Sequence, residues 1–186
     1  MDFLNVTKMI RGYIVAGGAL SFSLGTLLGI IEGGTFKPAP VILCYLVVFL
    51  GDLSTHFSND YFDVEIDKDA QTTFFSGKKI LVHHPQLRPA AKKISLTLLV
   101  LSNVTAAVLV LFFGAPTELL IITLAANLLG WIYSAPPLRL SSRTLGEVTI
   151  AVATGFIIPS IGYLSVKGQL DFPLSLIHIS EPTRPY

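Results

Sequence analysis

Charge is scarce in this chain. Asp, Glu, Lys and Arg make up 13% of its 186 residues, about half the share of an ordinary soluble domain. Apolar residues exceed half of the total and mean hydropathy is strongly positive. That balance excludes a water-soluble globular fold and predicts several membrane spans. Cysteine is nearly absent: Cys44 stands alone inside an apolar run, so no internal disulfide can form and the residue reads as a small lipid-facing or core side chain. No small-residue cleavage site with a soluble mature domain behind it follows Lys8 and Arg11, and the first apolar stretch is expected to stay in the protein. Ser76-Gly77-Lys78 lacks the glycine-rich frame and strand-to-helix setting of a P-loop. The net charge of +1 says little by itself, because the placement of the charges matters more; no nucleic-acid partner is expected.

Apolar runs are what the chain has in their place. They predict an all-α, multi-span helix bundle with spans near 12–31, 41–58, 94–113, 118–133 and 148–164. The first is rich in Gly17, Gly18, Ser21, Ser23, Gly25 and Gly29, small residues that allow helices to approach closely in a bilayer. Gly33-Gly34 with Pro38 and Pro40, and then Gly114-Ala115-Pro116, punctuate the runs. On an alternating path Lys8, Arg11, Lys68, Lys78, Lys79, Arg88, Lys92, Lys93, Arg139 and Arg143 all fall on one side, and only Lys37 and Lys167 on the other. By the positive-inside rule the N-terminus, the segment after the second span and the Arg139 loop are cytoplasmic, in a multi-pass protein of the cell membrane.

Chemistry concentrates where the second span ends, at Asn59-Asp60-Tyr61-Phe62-Asp63-Val64-Glu65-Ile66-Asp67. Carboxylates at the end of a membrane helix are costly without a partner or a task. Asp60, Asp63 and Asp67 are 3 and 4 apart, so a continuous helix would carry them on one face within roughly 10 Å of axis. A divalent cation relieves their repulsion, and oxygen-only ligands suit Mg²⁺ bridged to a phosphorylated substrate. Asn59 can add an amide oxygen or orient a carboxylate. Glu65 falls off that face, and Asp69 reads as a helper or a surface charge. Upstream, Asp52 and His56 extend a polar stripe into the span at i,i+4; they shape a substrate cavity or orient the carboxylates beyond them, with His56 also a candidate base, or else form a structural buried pair. Lys78 and Lys79 suit diphosphate contacts or a loop held at anionic lipid. Tyr133 reads as an interfacial ring or a substrate contact, and Arg139 as a phosphate contact or a positive-inside charge. Pro136-Pro137 between them end the fourth run rigidly.

Residues 174–184 look like a translated reading frame of a transposase-type sequencing-library adapter. Residues 1–173 are therefore expected to be an incomplete transmembrane domain, and 174–186 a tail of non-biological origin in which His178 carries no function.

Asn59, Asp60, Asp63 and Asp67 resemble, position by position, the first aspartate motif of the UbiA superfamily of intramembrane prenyltransferases. Tyr133-Ser134-x-Pro136-Pro137-x-Arg139 with Gly146-Glu147 looks like the motif between the fourth and fifth helices in the branch of menaquinone, chlorophyll and archaeal lipid enzymes. Tyr61-Phe62 leans toward the menaquinone branch. The resemblance implies about nine helices, a second aspartate motif beyond this chain, and a Mg²⁺-dependent transfer of a polyprenyl group from polyprenyl diphosphate to an aromatic acceptor such as 1,4-dihydroxy-2-naphthoate, with the fragment inactive alone. Chlorophyllide, homogentisate, 4-hydroxybenzoate or geranylgeranylglyceryl phosphate are the alternative acceptors. The loop Phe75-Ser76-Gly77-Lys78-Lys79-Ile80-Leu81 departs from both loop types usual in the family, which leaves the subclass open. From the residues alone, an ion transporter or a membrane scaffold are the rival classes.

Overall fold

The computed structural model describes residues 9–69 and 80–170, with Ile66, Asp67 and Asp69 described by backbone only. The adapter-like tail lies outside the described residues. Every regular element among those described is helical: α1 Gly12–Ile31, α2 Pro38–Phe62, α3 Val64–Asp69, α4 Ile80–His83, α5 Arg88–Phe113, α6 Thr117–Ser134, α7 Leu145–Val152 and α8 Ile158–Lys167. Among the described residues, five stretches are long and apolar enough to cross a bilayer: Gly12–Ile31, Pro38–Phe62, Pro85–Phe113, Thr117–Ser134 and Leu145–Lys167. The protein is a multi-pass membrane protein.

All five expected spans are present, and four run past the bounds read from hydropathy. Pro38 opens α2 and Pro89 lies in the first turn of α5, where proline's fixed φ and missing N–H cost nothing. Hydropathy marks the lipid-immersed length, whereas backbone hydrogen bonding carries each helix on into the interface, through Lys92 and Lys93 at one start and Asn59 and Asp60 at one end. Gly114 closes α5 at φ 67°, and the next N–H, of Ala115, returns to the Leu109 carbonyl at 3.0 Å. This is the left-handed cap that glycine accepts without strain.

The fifth span is not uniform. Ala153–Ile157 widens into a π-helical turn joining α7 to α8. Pro159 has no N–H for the carbonyl four residues back, and a wide turn just upstream accommodates that loss. Ser21 of α1 donates its hydroxyl to the Thr154 carbonyl within this turn.

α2 lies at the centre, packed on α5, α6, α8 and α1, while α1 pairs closely with α8. Of the small residues in α1, Gly18, Ser21, Gly25 and Gly29 are buried at helical spacing, whereas Gly17 faces open space and Ser23 is exposed. A Cβ on Gly25 would run into the Pro159 backbone, and one on Gly162 into the Phe22 carbonyl. Backbone contact of this kind substitutes for a hydrophobic driving force that lipid cannot supply. Phe22, Cys44, Val47, Ala106, Leu109, Leu119, Ile161 and Leu164 fill the core. Polar bonds tie the spans together: Ser54 and Ser95 each donate to the other's carbonyl at 2.9 Å, and Asn127 Nδ2 donates to Ser102 Oγ at 3.1 Å. Leu20, Leu24, Leu27, Leu111 and Phe112 remain on the outside, where a bilayer accepts them.

The charged loops gather at one end of the bundle, where Arg11, Asp60 and Arg88 lie. Lys37 and Lys167 lie at the other. There Thr35 N–H bonds the Val166 carbonyl at 3.0 Å, and Lys167 donates to the Glu32 carbonyl.

Candidate functional site

The last turns of α2 set the site. Asp52, Thr55, His56 and Asn59 recur at helical spacing and line a cavity of about 440 Å³ between α2, α6 and the α7–α8 span, with Arg11 and Tyr133 also on its wall. Asp52, His56, Asn59 and Tyr133, widely separated in their chemistry, thus share one space. The rest of the lining is mainly aliphatic, including Val47, Ile150, Ile157 and Ile161.

Asp60 is not among the residues lining the cavity, but Arg11, which is, donates from Nη2 to Asp60 Oδ1 at 2.8 Å. Both side chains are largely buried, and α1 and α2 are joined by this charge-assisted bond. Ser134 Oγ, at the end of α6, lies 2.9 Å from Asn59 Oδ1 and 2.9 Å from Asp63 Oδ2. A hydroxyl has one proton. Both contacts are satisfied together when Asn59 turns its amide nitrogen toward Ser134 and Ser134 donates to Asp63.

The three aspartates do not share one continuous helix face, as their spacing predicts. α2 ends at Phe62, and Asp63 caps it at φ −92°, ψ 3°, with its N–H on the Asn59 carbonyl at 2.9 Å. Asp67 belongs to the separate helix α3, and its side chain lies outside the described residues. Tertiary contacts override the local period here: Ser134 holds Asp63, the Phe62 ring meets Trp131 edge-on at 5.4 Å, and Val64 is buried with Met9, Phe57, Leu81 and Leu87.

Within the span His56 Nε2 stands 3.7 Å from Asp52 Oδ1. His56 is 3% exposed, and neither ring nitrogen has a hydrogen-bond partner in the protein. Around the mouth, Arg88 and Lys92 of α5 lie 5.1 and 5.5 Å from the centre of the Tyr61 ring, in cation–π range. Glu65 faces solvent, as its position predicts; the hydrogen bond and charge of Lys68 hold its carboxyl below the usual carboxylate range. Arg139 follows α6 in a left-handed conformation, φ 43° and ψ 60°, and is not among the residues lining the cavity. Lys78 and Lys79 lie outside the described residues.

Arg11 and Ser134 are site residues that the sequence reading did not select. Arg11 was visible as a basic residue at a span start, and Ser134 lay inside the Tyr133–Arg139 motif, but nothing in either position announces the partner.

The donor set suits a hard cation: carboxylates and an amide oxygen, with no sulfur. Among the described residues no three His, Cys, Asp or Glu side chains converge to hold an ion alone. Mg²⁺ is commonly held by one or two carboxylates, with phosphate and water completing its shell. Arg11, Arg88 and Arg139 each hold a buried Nε atom without a hydrogen-bond partner in the protein, and of these only Arg11 lines the cavity.

A family model described as the UbiA prenyltransferase family matches residues 19–180. No curated protein matches the chain. Among solved structures, a UbiA homolog from Archaeoglobus fulgidus bound to DMAPP and Mg²⁺ is similar in fold, with a TM-score of 0.69 at 22% identity over 92% of this chain. The chain spans 57% of that structure's length.

Proposed function

This chain belongs to the UbiA prenyltransferase family, and on that premise we propose that its gene product transfers a polyprenyl group from polyprenyl diphosphate to an aromatic acceptor with Mg²⁺. The observation that carries the reading is that Asn59 lines a largely aliphatic cavity together with Asp52 and His56, while its neighbours Asp60 and Asp63 are held by Arg11, which shares that lining, and by Ser134, which also contacts Asn59. A diphosphate and an apolar chain need that pairing of a charged rim with a dry interior. The solved homolog with DMAPP and Mg²⁺ supports the same substrate class.

In this reading Asn59, Asp60, Asp63 and Asp67 would hold Mg²⁺ together with the substrate phosphates, and the ion would supply positive charge to a departing diphosphate. Arg11, Lys78, Lys79 and Arg139 contribute hydrogen bonds to the same oxygens. Val47, Ile150, Ile157 and Ile161 receive the allylic chain and exclude water that would otherwise quench a cationic carbon. The acceptor enters the cavity beside Tyr133. 1,4-Dihydroxy-2-naphthoate is the acceptor favoured by the Tyr61-Phe62 and Tyr133–Arg139 motifs. The site faces the cytoplasm, the side on which the basic residues accumulate.

The test is prenyl transfer by the full-length gene product in liposomes. Asp60→Asn and Asp63→Asn are expected to remove nearly all turnover, and chelation of Mg²⁺ to do the same reversibly. Wild-type-like rates in either variant would overturn the assignment. Ion flux without product formation would point to a transporter.

A further inference from the structure

We propose that His56 is the side chain that receives the acceptor, by a hydrogen bond to one of its ring hydroxyls, with Asp52 as the residue that positions the imidazole. The proposal rests on the prenyl-transfer reading and adds to it the group that recognises the second substrate.

Burial and bonding disagree at His56. A side chain that is 97% buried normally has its polar atoms paired, yet both ring nitrogens lack a hydrogen-bond partner in the protein, although α2 is packed on four other helices. Its nearest charged neighbour, Asp52 Oδ1, is 3.7 Å from Nε2, beyond hydrogen-bond reach but near enough to bias which edge of the ring turns to the carboxylate. His56 lines the cavity. A neutral imidazole offers one donor and one acceptor, a match for a hydroxyl, which is likewise both.

Depth along the helix points to the acceptor rather than the diphosphate. His56 precedes Asp60 by one turn, about 6 Å along the axis, and Asp52 precedes His56 by a further turn. With phosphates at the Asn59–Asp63 rim, the reacting end of the prenyl chain lies about one turn inside, level with His56. Tyr133 and Thr149 also line the space, but Thr149 spends its hydroxyl on the Leu145 carbonyl at 2.8 Å.

The experiment compares His56→Phe, His56→Gln and Asp52→Asn in the full-length protein. It measures KM for 1,4-dihydroxy-2-naphthoate and for its mono-O-methyl ethers, and the Kd for geranyl diphosphate with Mg²⁺. His56→Phe should raise the acceptor KM about 10- to 100-fold and leave the geranyl diphosphate Kd within about twofold. It should also erase the preference of the unmutated protein for free hydroxyl over methyl ether at one ring position. His56→Gln should restore part of that preference, and Asp52→Asn should shift the acceptor KM in the same direction by less. An unchanged acceptor KM in an active His56→Phe protein overturns the role of His56 alone, as does a parallel loss of geranyl diphosphate affinity. Failure of the unmutated protein to bind geranyl diphosphate or to turn over overturns the prenyl-transfer reading and this proposal with it. If His56→Phe does not fold, His56→Asn, too short to reach the same hydroxyl, carries the same comparison.

Discussion

A serine hydroxyl has one proton to give, and Ser134 stands 2.9 Å from the side-chain amide of Asn59 and 2.9 Å from the carboxylate of Asp63. It therefore orders two site side chains at once, one through its proton and one through its lone pair. Ser134→Ala is expected to cost about 1 kcal/mol of stability, read by unfolding in detergent. It should also raise several-fold the prenyl diphosphate concentration needed for half-maximal rate, whereas Ser134→Thr should keep most of both. Arg11 acts at the same scale on Asp60. Arg11→Gln leaves a largely buried carboxylate with a weaker partner, and is expected to lower the melting temperature in detergent at neutral pH. The polar stripe Asp52, His56, Asn59, Asp60 was legible from spacing within one helix. Arg11 and Ser134 were not, because a side chain's choice of partner 49 or 75 residues away leaves no local periodic mark.

At the scale of elements, helix contact in this fold depends on missing side chains. Gly25 and Gly162 bring α1 and α8 backbone to backbone. Gly162→Val should force the pair apart, with a loss of about 1–3 kcal/mol measured as a fall in melting temperature. Gly17→Ala, which meets open space, should change little or stabilise slightly, since alanine is the better helix former. Five helices were legible because some 20 consecutive apolar residues are a local property. Their ends were less so, since hydropathy reports lipid contact while the helix ends where hydrogen bonding or capping stops it. The break at Asp63 is the sharpest case. The 3-and-4 spacing predicts one continuous face, but α2 stops at Phe62, where Ser134 on α6 holds Asp63 and Val64 is buried, and Asp67 falls on the separate helix α3.

For the whole molecule, antiparallel spans sort the loops to two ends, and the carboxylates, Arg11, Arg88 and the end of α6 meet at one of them. The basic residues predict that this end is cytoplasmic. In a Cys44→Ala background, a cysteine replacing Arg143 should react with an impermeant thiol reagent only from the cytoplasmic side, and one replacing Lys37 only from the opposite side. The reverse pattern would put the site on the wrong face for cytoplasmic diphosphates. Cys44 itself, 3% exposed in the core, should resist such a reagent until the protein unfolds.

By itself the sequence determined the helical class, the number and order of the five spans, the acidic end of the second and the sign of charge around it. These follow from composition and spacing within single segments, where burial in lipid and the 3.6-residue period act locally. Only the tertiary structure decided that Asp60 pairs with Arg11, that Ser134 joins Asn59 to Asp63, that α2 stops between two aspartates, and that Asp52 and His56 open into a cavity with Tyr133. Each of these depends on how helices rotate and approach one another. That is set by summed packing, small-residue contact and polar pairing across the bundle, and no single segment contains it.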